Sequence, residues 1–377
     1  MTRLLAMSAV ALCLTFVASA SATTSTGQVK HWGSYGNANT TPLPTAVENL
    51  ENVVSIDAGN TSGYALESNG TVWTWGENGD GELGDGQTSP SRKQAVQAIF
   101  PAGVKIVSIG EAQDNGFAID STGQGWAWGM NGPGQLCLGP NAEKRVSTPT
   151  KIPGMTDALA VQGGEHHVIW LLKNGTLESC GTNSNGQLGV GTKVRKSKVP
   201  IAIPGLSKVV EISAGEKSSC ARTSSGAVYD WGSNLNGQVG EGIESAAVFT
   251  PYLVPLPGAA SQIACGGNLP ENGSALALVG GVPYGWGADH FGQVGDGQTT
   301  NKLRPVPATA IESLGLTHLV ASGAYSLGIN AAGNLYAWGA DEGESLGSGL
   351  GQTSLTPVLI ESNVVEISAT ARNSVDR

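Results

Sequence analysis

The chain has 377 residues, of which 13% are charged, 40% are hydrophobic and 55 are glycine, and its formal net charge is −10. An acidic chain repels phosphate backbones, so generic nucleic-acid binding is not expected. Unpatterned, that much glycine signals disorder; here it recurs at turns, and 40% apolar content is enough to build a core over several stacked sheets.

The first 22 residues read as a secretory signal. Arg3 gives a short basic start, Leu4 to Val17 is an apolar run, and Ala20-Ser21-Ala22 offers small residues for cleavage. The run is too short for a stable membrane anchor. Its removal takes away Arg3 alone among charged residues, which turns the net charge from −10 into −11. The expected location is therefore secreted, periplasmic or in the cell envelope, with residues 23–377 as one domain.

From Trp32 onward one phrase recurs: Trp-Gly, a short spacer, then Gly-Gln-Leu-Gly or a close variant. The anchors are Trp32, Trp75, Trp128, Cys180, Trp231, Trp286 and Trp338, separated by 43, 53, 52, 51, 55 and 52 residues. A period near 50 with Gly-rich turns is that of propeller blades. Within one period, Val209–Ser213 alternates as a half-buried strand. Ser219–Arg222, a Ser225-Gly226 turn and Ala227–Trp231 follow. The same hairpin turn recurs as Asn69-Gly70, Thr122-Gly123, Asn174-Gly175, Gly280-Gly281 and Ala332-Gly333, where Gly supplies the positive φ of a tight turn. Pro-bearing segments such as Thr250-Pro251 and Thr356-Pro357 suit an outer strand, which need not donate every N–H. At the end of the chain, Val364–Ala369 repeats Val209–Ala214 and Arg377 falls opposite Arg222. The third strand missing there is supplied by Gln28–Trp32, with Thr24–Gly27 in place of the hairpin turn. One blade is thus predicted to be built from both ends, which removes the open edge of a linear array. The prediction is an all-β, seven-bladed propeller.

From Thr24 to Arg377 this pattern resembles the RCC1-like (regulator of chromosome condensation) repeat family, in repeat length, Trp-Gly anchor, Gly-Gln-Leu-Gly turn and split closing blade. The resemblance implies a scaffold for protein interaction, of which an enzyme inhibitor is one concrete form. It also brings guanine-nucleotide exchange on a small GTPase as a remote alternative, but there is no basic tail and an export signal separates the chain from GTPases. Ultraviolet sensing by a Trp cluster needs Trp-Arg-His-Thr motifs, which are absent.

No catalytic, metal or cofactor motif stands out. His166 and His167 are adjacent on a strand and point to opposite faces, so they do not share a metal, and His167 reads as a packing residue. Asp80, Glu82 and Asp85 crowd one loop without the EF-hand spacing and read as turn caps. Asn39, Asn60, Asn69, Asn174 and Asn272 head formal glycosylation sequons and are read as turn chemistry. Lys193 to Lys198, with Arg195 between, reads as a solvated loop. After loss of Cys13, the cysteines Cys137, Cys180, Cys220 and Cys265 permit two disulfides in three connectivities. They lie at different places in their repeats, and Cys180 stands where the anchor Trp is, so buried apolar filling is the expectation.

The loop after each first strand keeps its flanks and varies its middle. These loops supply the candidate partner-binding residues Asn60, Glu111, Asp114, His166, Glu216, Lys217, Glu271, Tyr325 and Arg372. All project from one end of the ring, as a contact face or as a solvated rim. The expected function is that of an exported non-enzymatic module recognising a protein through this face. The alternative is a carbohydrate-binding lectin, but Trp73, Trp126 and Trp170 all read as core and leave few aromatics for stacking on sugar.

Overall fold

A computed structural model describes residues 28–377 apart from 36–38, 89–90, 268–271 and 370–372; the expected signal segment lies outside the described residues. Seven four-stranded antiparallel sheets stand around a common axis. Blades 1 to 6 span residues 53–97, 106–151, 158–202, 209–253, 260–307 and 316–361. In blade 4 the first strand Val209–Ala214 pairs with Ser218–Thr223, then Val228–Asn234, then Ser245–Leu253 at the outer edge. The hairpin glycines Gly70, Gly123, Gly175, Gly226 and Gly333 all have positive φ, as the turn type requires.

Blade 7 is built from both ends of the chain. Its first two strands are Ile367–Ala369 and Asn373–Asp376, its third is Lys30–Tyr35 and its fourth is Asn39–Ala46. Lys30 lies opposite Asp376 and Gly33 opposite Asn373. Arg377 Nε donates to Glu366 Oε2 at 3.0 Å, repeating the Arg222–Glu211 pair of blade 4 at 2.5 Å. Arg377 also donates to the Val53 carbonyl at 3.0 Å, which ties the last residue to blade 1. The short first step of the repeat has a simple origin. In blade 7 the third and fourth strands are joined by residues 36–38, whereas in blade 1 the same connection runs through residues 77–91.

Each first strand of blades 1 to 6 carries a register shift at the same place, skipping Val54, Val107, Leu159, Val210, Ser261 and Thr317. Such a bulge bends the strand and increases its twist. It leaves Val54, Val107 and Val210 exposed, along with the corresponding Val365.

The seams between blades explain the recurring phrase. Each anchor Trp is fully buried against the preceding blade. At four of them the indole N–H donates to the carbonyl of that blade's Gly-Gln-Leu-Gly loop: Trp128 to Glu82 (2.8 Å), Trp231 to Gln187 (3.0 Å), Trp338 to Gln293 (3.0 Å) and Trp32 to Ser345 (2.9 Å). The loop is held in turn by the Asn or Asp that follows the anchor dipeptide. Asn78 Oδ1 accepts from the Leu83 N–H, Asn183 from Leu188, Asn234 from Val239 and Asp289 from Val294. The last glycine of the loop has positive φ and lies against the next Trp, as at Gly189 with Trp231 Nε1 2.8 Å from an added Cβ.

Three seams depart from this scheme: Trp75 packs on blade 7, whose sequence has no Gly-Gln-Leu-Gly loop, and at the other two the expectation for the cysteines is corrected. Cys137 and Cys180 form a disulfide between blades 2 and 3, and Cys220 and Cys265 form one between blades 4 and 5. Cys180 occupies the anchor position and Cys137 the closing-glycine position, so the bridge replaces the Trp–Gly contact. At the seam between blades 4 and 5 Trp286 is present, but its N–H faces the buried Asp230 carboxyl without reaching hydrogen-bond geometry. Replacing Trp231 or Trp338 by Phe is expected to cost about 1 kcal/mol more, by urea denaturation, than the same change at Trp286, because only the first two lose a made hydrogen bond. Equal costs at all three positions would show that the indole N–H contributes nothing at the seams.

Candidate partner-binding face

Because strands alternate in direction, the loops after first strands and those after third strands emerge at one end of the ring. The hairpin turns emerge at the other. The first strands line an axial cavity of about 370 Å³, whose mouth is formed by Asn60, Gln113, Glu165, Glu216, Gly267 and Ser322. Among the described residues, the loops of blades 1 to 5 are stitched to each other. Asn60 N donates to Gln113 O (3.3 Å), Gln113 N to Gly164 O (3.4 Å), Glu165 N to Glu216 O (3.0 Å) and Glu216 N to Gly267 O (2.8 Å). Neighbouring backbones approach so closely that a Cβ on Gly164 would sit 2.3 Å from the Gly215 carbonyl oxygen. The glycine flanks therefore set the scaffold, and the residues between them are free to differ.

Asn60, Asp114, His166, Glu216 and Lys217 all lie at this end, each half-buried. Glu165, not among the expected residues, bridges two of them: it lies 3.6 Å from His166 Nε2 and 3.5 Å from Lys217 Nζ. Loops after third strands add Glu77, which accepts from the Thr61 hydroxyl at 2.9 Å, and Asp80, which pairs with Arg145. Burial pushes the Asp114 carboxyl up to about 6, and repulsion from Asp80 and Glu77 adds to this, while His166 opposes it. Burial likewise raises Glu82 to about 7, against backbone hydrogen bonds that favour its charged form. The contribution of the third-strand loops was available from strand parity alone.

Glu111 is placed at the end of the first strand of blade 2, opposite Gly116. Glu271 and Arg372 lie outside the described residues. Tyr325 is corrected: it is 1% exposed, in the core between blades 6 and 7, with its hydroxyl 2.8 Å from Ser374 Oγ. Burial pushes its phenol up to about 12. The reason is register. Tyr325 pairs with Gly339 as His167 pairs with Gly181 and Ser62 with Gly76, so it opens the second strand and points into the seam.

The remaining candidates are structural. His167 is fully buried, with Nε2 2.8 Å from Ser219 Oγ, and burial lowers its pKa to about 3. Asp85 accepts from Asn78 Nδ2 and from the Gln87 N–H, which is turn capping. Asn69 and Asn174 each accept the N–H two residues on, at 2.8 and 2.9 Å. Trp126 and Trp170 are buried and Trp73 packs partly buried against the core. Among the described residues no group of three or more His, Cys, Asp or Glu is placed to hold a metal ion.

Comparison with known proteins agrees with the blade architecture. The family described as RCC1-like domain matches residues 5–269. The chain belongs to the RCC1-like domain family. Its relatives include Protein pim1 of Schizosaccharomyces pombe, 31% identical over 262 residues, which covers 64% of this chain and 48% of pim1. The ultraviolet-B receptor UVR8 of Arabidopsis thaliana is 26% identical over 331 residues, covering 86% of this chain and 74% of UVR8. The human E3 ubiquitin-protein ligase HERC2 is 27% identical over 303 residues, 78% of this chain but 6% of HERC2. The chain thus spans about half the length of pim1 and a small part of HERC2. In structure, Prp20p of Saccharomyces cerevisiae superposes with a TM-score of 0.81 at 23% identity, over 93% of this chain and 90% of that one. Human WBSCR16 does so with 0.81 at 17% identity, over 93% and 98%. These two likenesses establish the shared fold.

The raised carboxyls of this RCC1-like ring make its stability pH-dependent. In the folded state Asp114 and Glu82 keep protons that the unfolded chain has released above about pH 4. Their contribution is full below that range and is lost as pH rises through about 6 and 7. Asp114→Asn is expected to stabilise the protein by about 1 kcal/mol at pH 8 and to change little at pH 4, measured by urea denaturation at both.

Proposed function

We propose that this RCC1-like propeller is an exported, non-enzymatic binding module that recognises a protein partner through the loops at the mouth of the ring. The observation that carries the reading is the run of backbone hydrogen bonds that joins the first-strand loops of blades 1 to 5 and sets unlike polar side chains between them. Preorganised surfaces of this kind bind without a large ordering cost. The likeness to Prp20p, described for its binding properties to Gsp1p and histones, supports a protein as partner without naming which.

Export rests on the apolar run Leu4–Val17 and on the two disulfides, since such bonds persist in oxidising compartments. An enzyme-inhibitor role is one form that a ring-face binder takes. The lectin alternative gains no support, because Trp126 and Trp170 are buried rather than presented to solvent.

The test is affinity capture with residues 23–377 as bait against the exported and envelope fraction of the source organism. The expected result is one stoichiometric protein whose affinity drops about tenfold or more when Asp114, Glu165, Glu216 and Lys217 are replaced by Ala. Replacing Lys105 and Glu312, exposed at the opposite end, is expected to leave it unchanged. A partner lost through the second set and kept through the first would overturn the assignment of the face.

A further inference from the structure

Both disulfides lie at seams without the Trp-to-carbonyl bond. Four of the seven seams carry a Trp-to-carbonyl bond, at Trp128, Trp231, Trp338 and Trp32, and at a fifth Trp75 is buried against blade 7, whose sequence has no Gly-Gln-Leu-Gly loop. The seams at Cys180 and Trp286 carry none, and each of these is bridged by a disulfide. At the seam between blades 2 and 3 the losses accumulate. The anchor indole is absent and the closing glycine is Cys137, which holds a positive φ of 60°. Gln135 is fully buried with neither side-chain polar atom hydrogen-bonded. Its equivalents Gln187, Gln238 and Gln293 each accept an N–H from the residue two before them. At that place Gln135 has Pro133, which has no N–H to give.

We infer that the two disulfides are latches that stand in for the missing Trp-to-carbonyl clamps, so that the redox state decides whether the ring stays closed at these two seams. Reduction is chemically simple. A thiolate of a dithiol attacks one sulfur, a mixed disulfide forms, and the second thiolate displaces the protein thiolate. Two electrons and two protons end on the cysteine pair, and the dithiol leaves as a cyclic disulfide. The sulfurs of Cys137 and Cys180 are fully buried, so the reductant gains access only as the seam opens. The arc between the two latches is blades 3 and 4, which present Glu165, His166, Glu216 and Lys217. The consequence for binding therefore rests on the ring-face reading, whereas the latch itself does not.

The test is hydrogen exchange by mass spectrometry on residues 23–377, oxidised and then reduced with dithiothreitol. Amides at the latched seam between blades 2 and 3, residues 134–137 and 177–182, are expected to exchange about tenfold faster after reduction. Those at the clamped seam between blades 3 and 4, residues 186–189 and 228–232, are expected to keep their protection. The double variant Cys137→Gly, Cys180→Trp restores the ordinary contact, and its seam between blades 2 and 3 is expected to be insensitive to dithiothreitol. An unchanged pattern in the reduced native protein, or equal loosening of all seams, overturns the latch. So does a folded double variant that remains as sensitive as the native chain at residues 134–137. The native comparison stands if the variant does not fold.

Discussion

Everything in this molecule depends on how one blade grips the next. A four-stranded sheet of this size cannot bury its own faces, so each blade is stable only as part of a stack. The grip is one indole set against one glycine, with the indole N–H on a loop carbonyl that an Asn or Asp holds in place. This contact burns a residue pattern into most repeats, and at the seam between blades 2 and 3 the Cys137–Cys180 disulfide replaces it. The contact needs a flat, large side chain with a donor at its rim, and a partner with no side chain at all.

The same grip positions the candidate site. With the seams fixed, first strands converge on the axis until adjacent loops hydrogen-bond to each other. That network pairs backbone polar groups of the mouth with each other and leaves the side chains between them free to differ in kind. Closure has the same logic. The terminal Arg377 repeats the Arg222–Glu211 pairing of blade 4 in blade 7 and then reaches the Val53 carbonyl of blade 1. The ring therefore has no unpaired inner edge at the point where the chain ends meet.

Much of this was legible in the residues. The Trp-Gly recurrence marks third strands, because a bulky aromatic followed by a glycine at a fixed period has no other economical explanation. The copy of Val209–Ala214 at Val364–Ala369 revealed the shared blade. What escaped was information that lives between repeats. The Cys137–Cys180 bridge is visible only once the anchor and the preceding closing glycine are known to touch. Read repeat by repeat, the two cysteines occupy unrelated places. Tyr325 was misplaced by a single position: aligned with His167 rather than His166 it belongs to the seam, and one residue of slip exchanges face for core. The carboxyls Asp80, Glu82 and Asp85 were seen as a loop cluster, but the meeting of Asp80, Glu82 and the unremarked Glu77 with Asp114 crosses a seam.

The account stands or falls on which end of the ring meets the partner. Hydrogen exchange of the ring with its captured partner bound, compared with the free ring, reads this directly. Protection is expected in the mouth loops around residues 59–62, 113–116, 164–167 and 215–218. Protection confined to the hairpins around residues 68–71, 121–124, 173–176 and 224–227 would place the partner at the opposite end and contradict it.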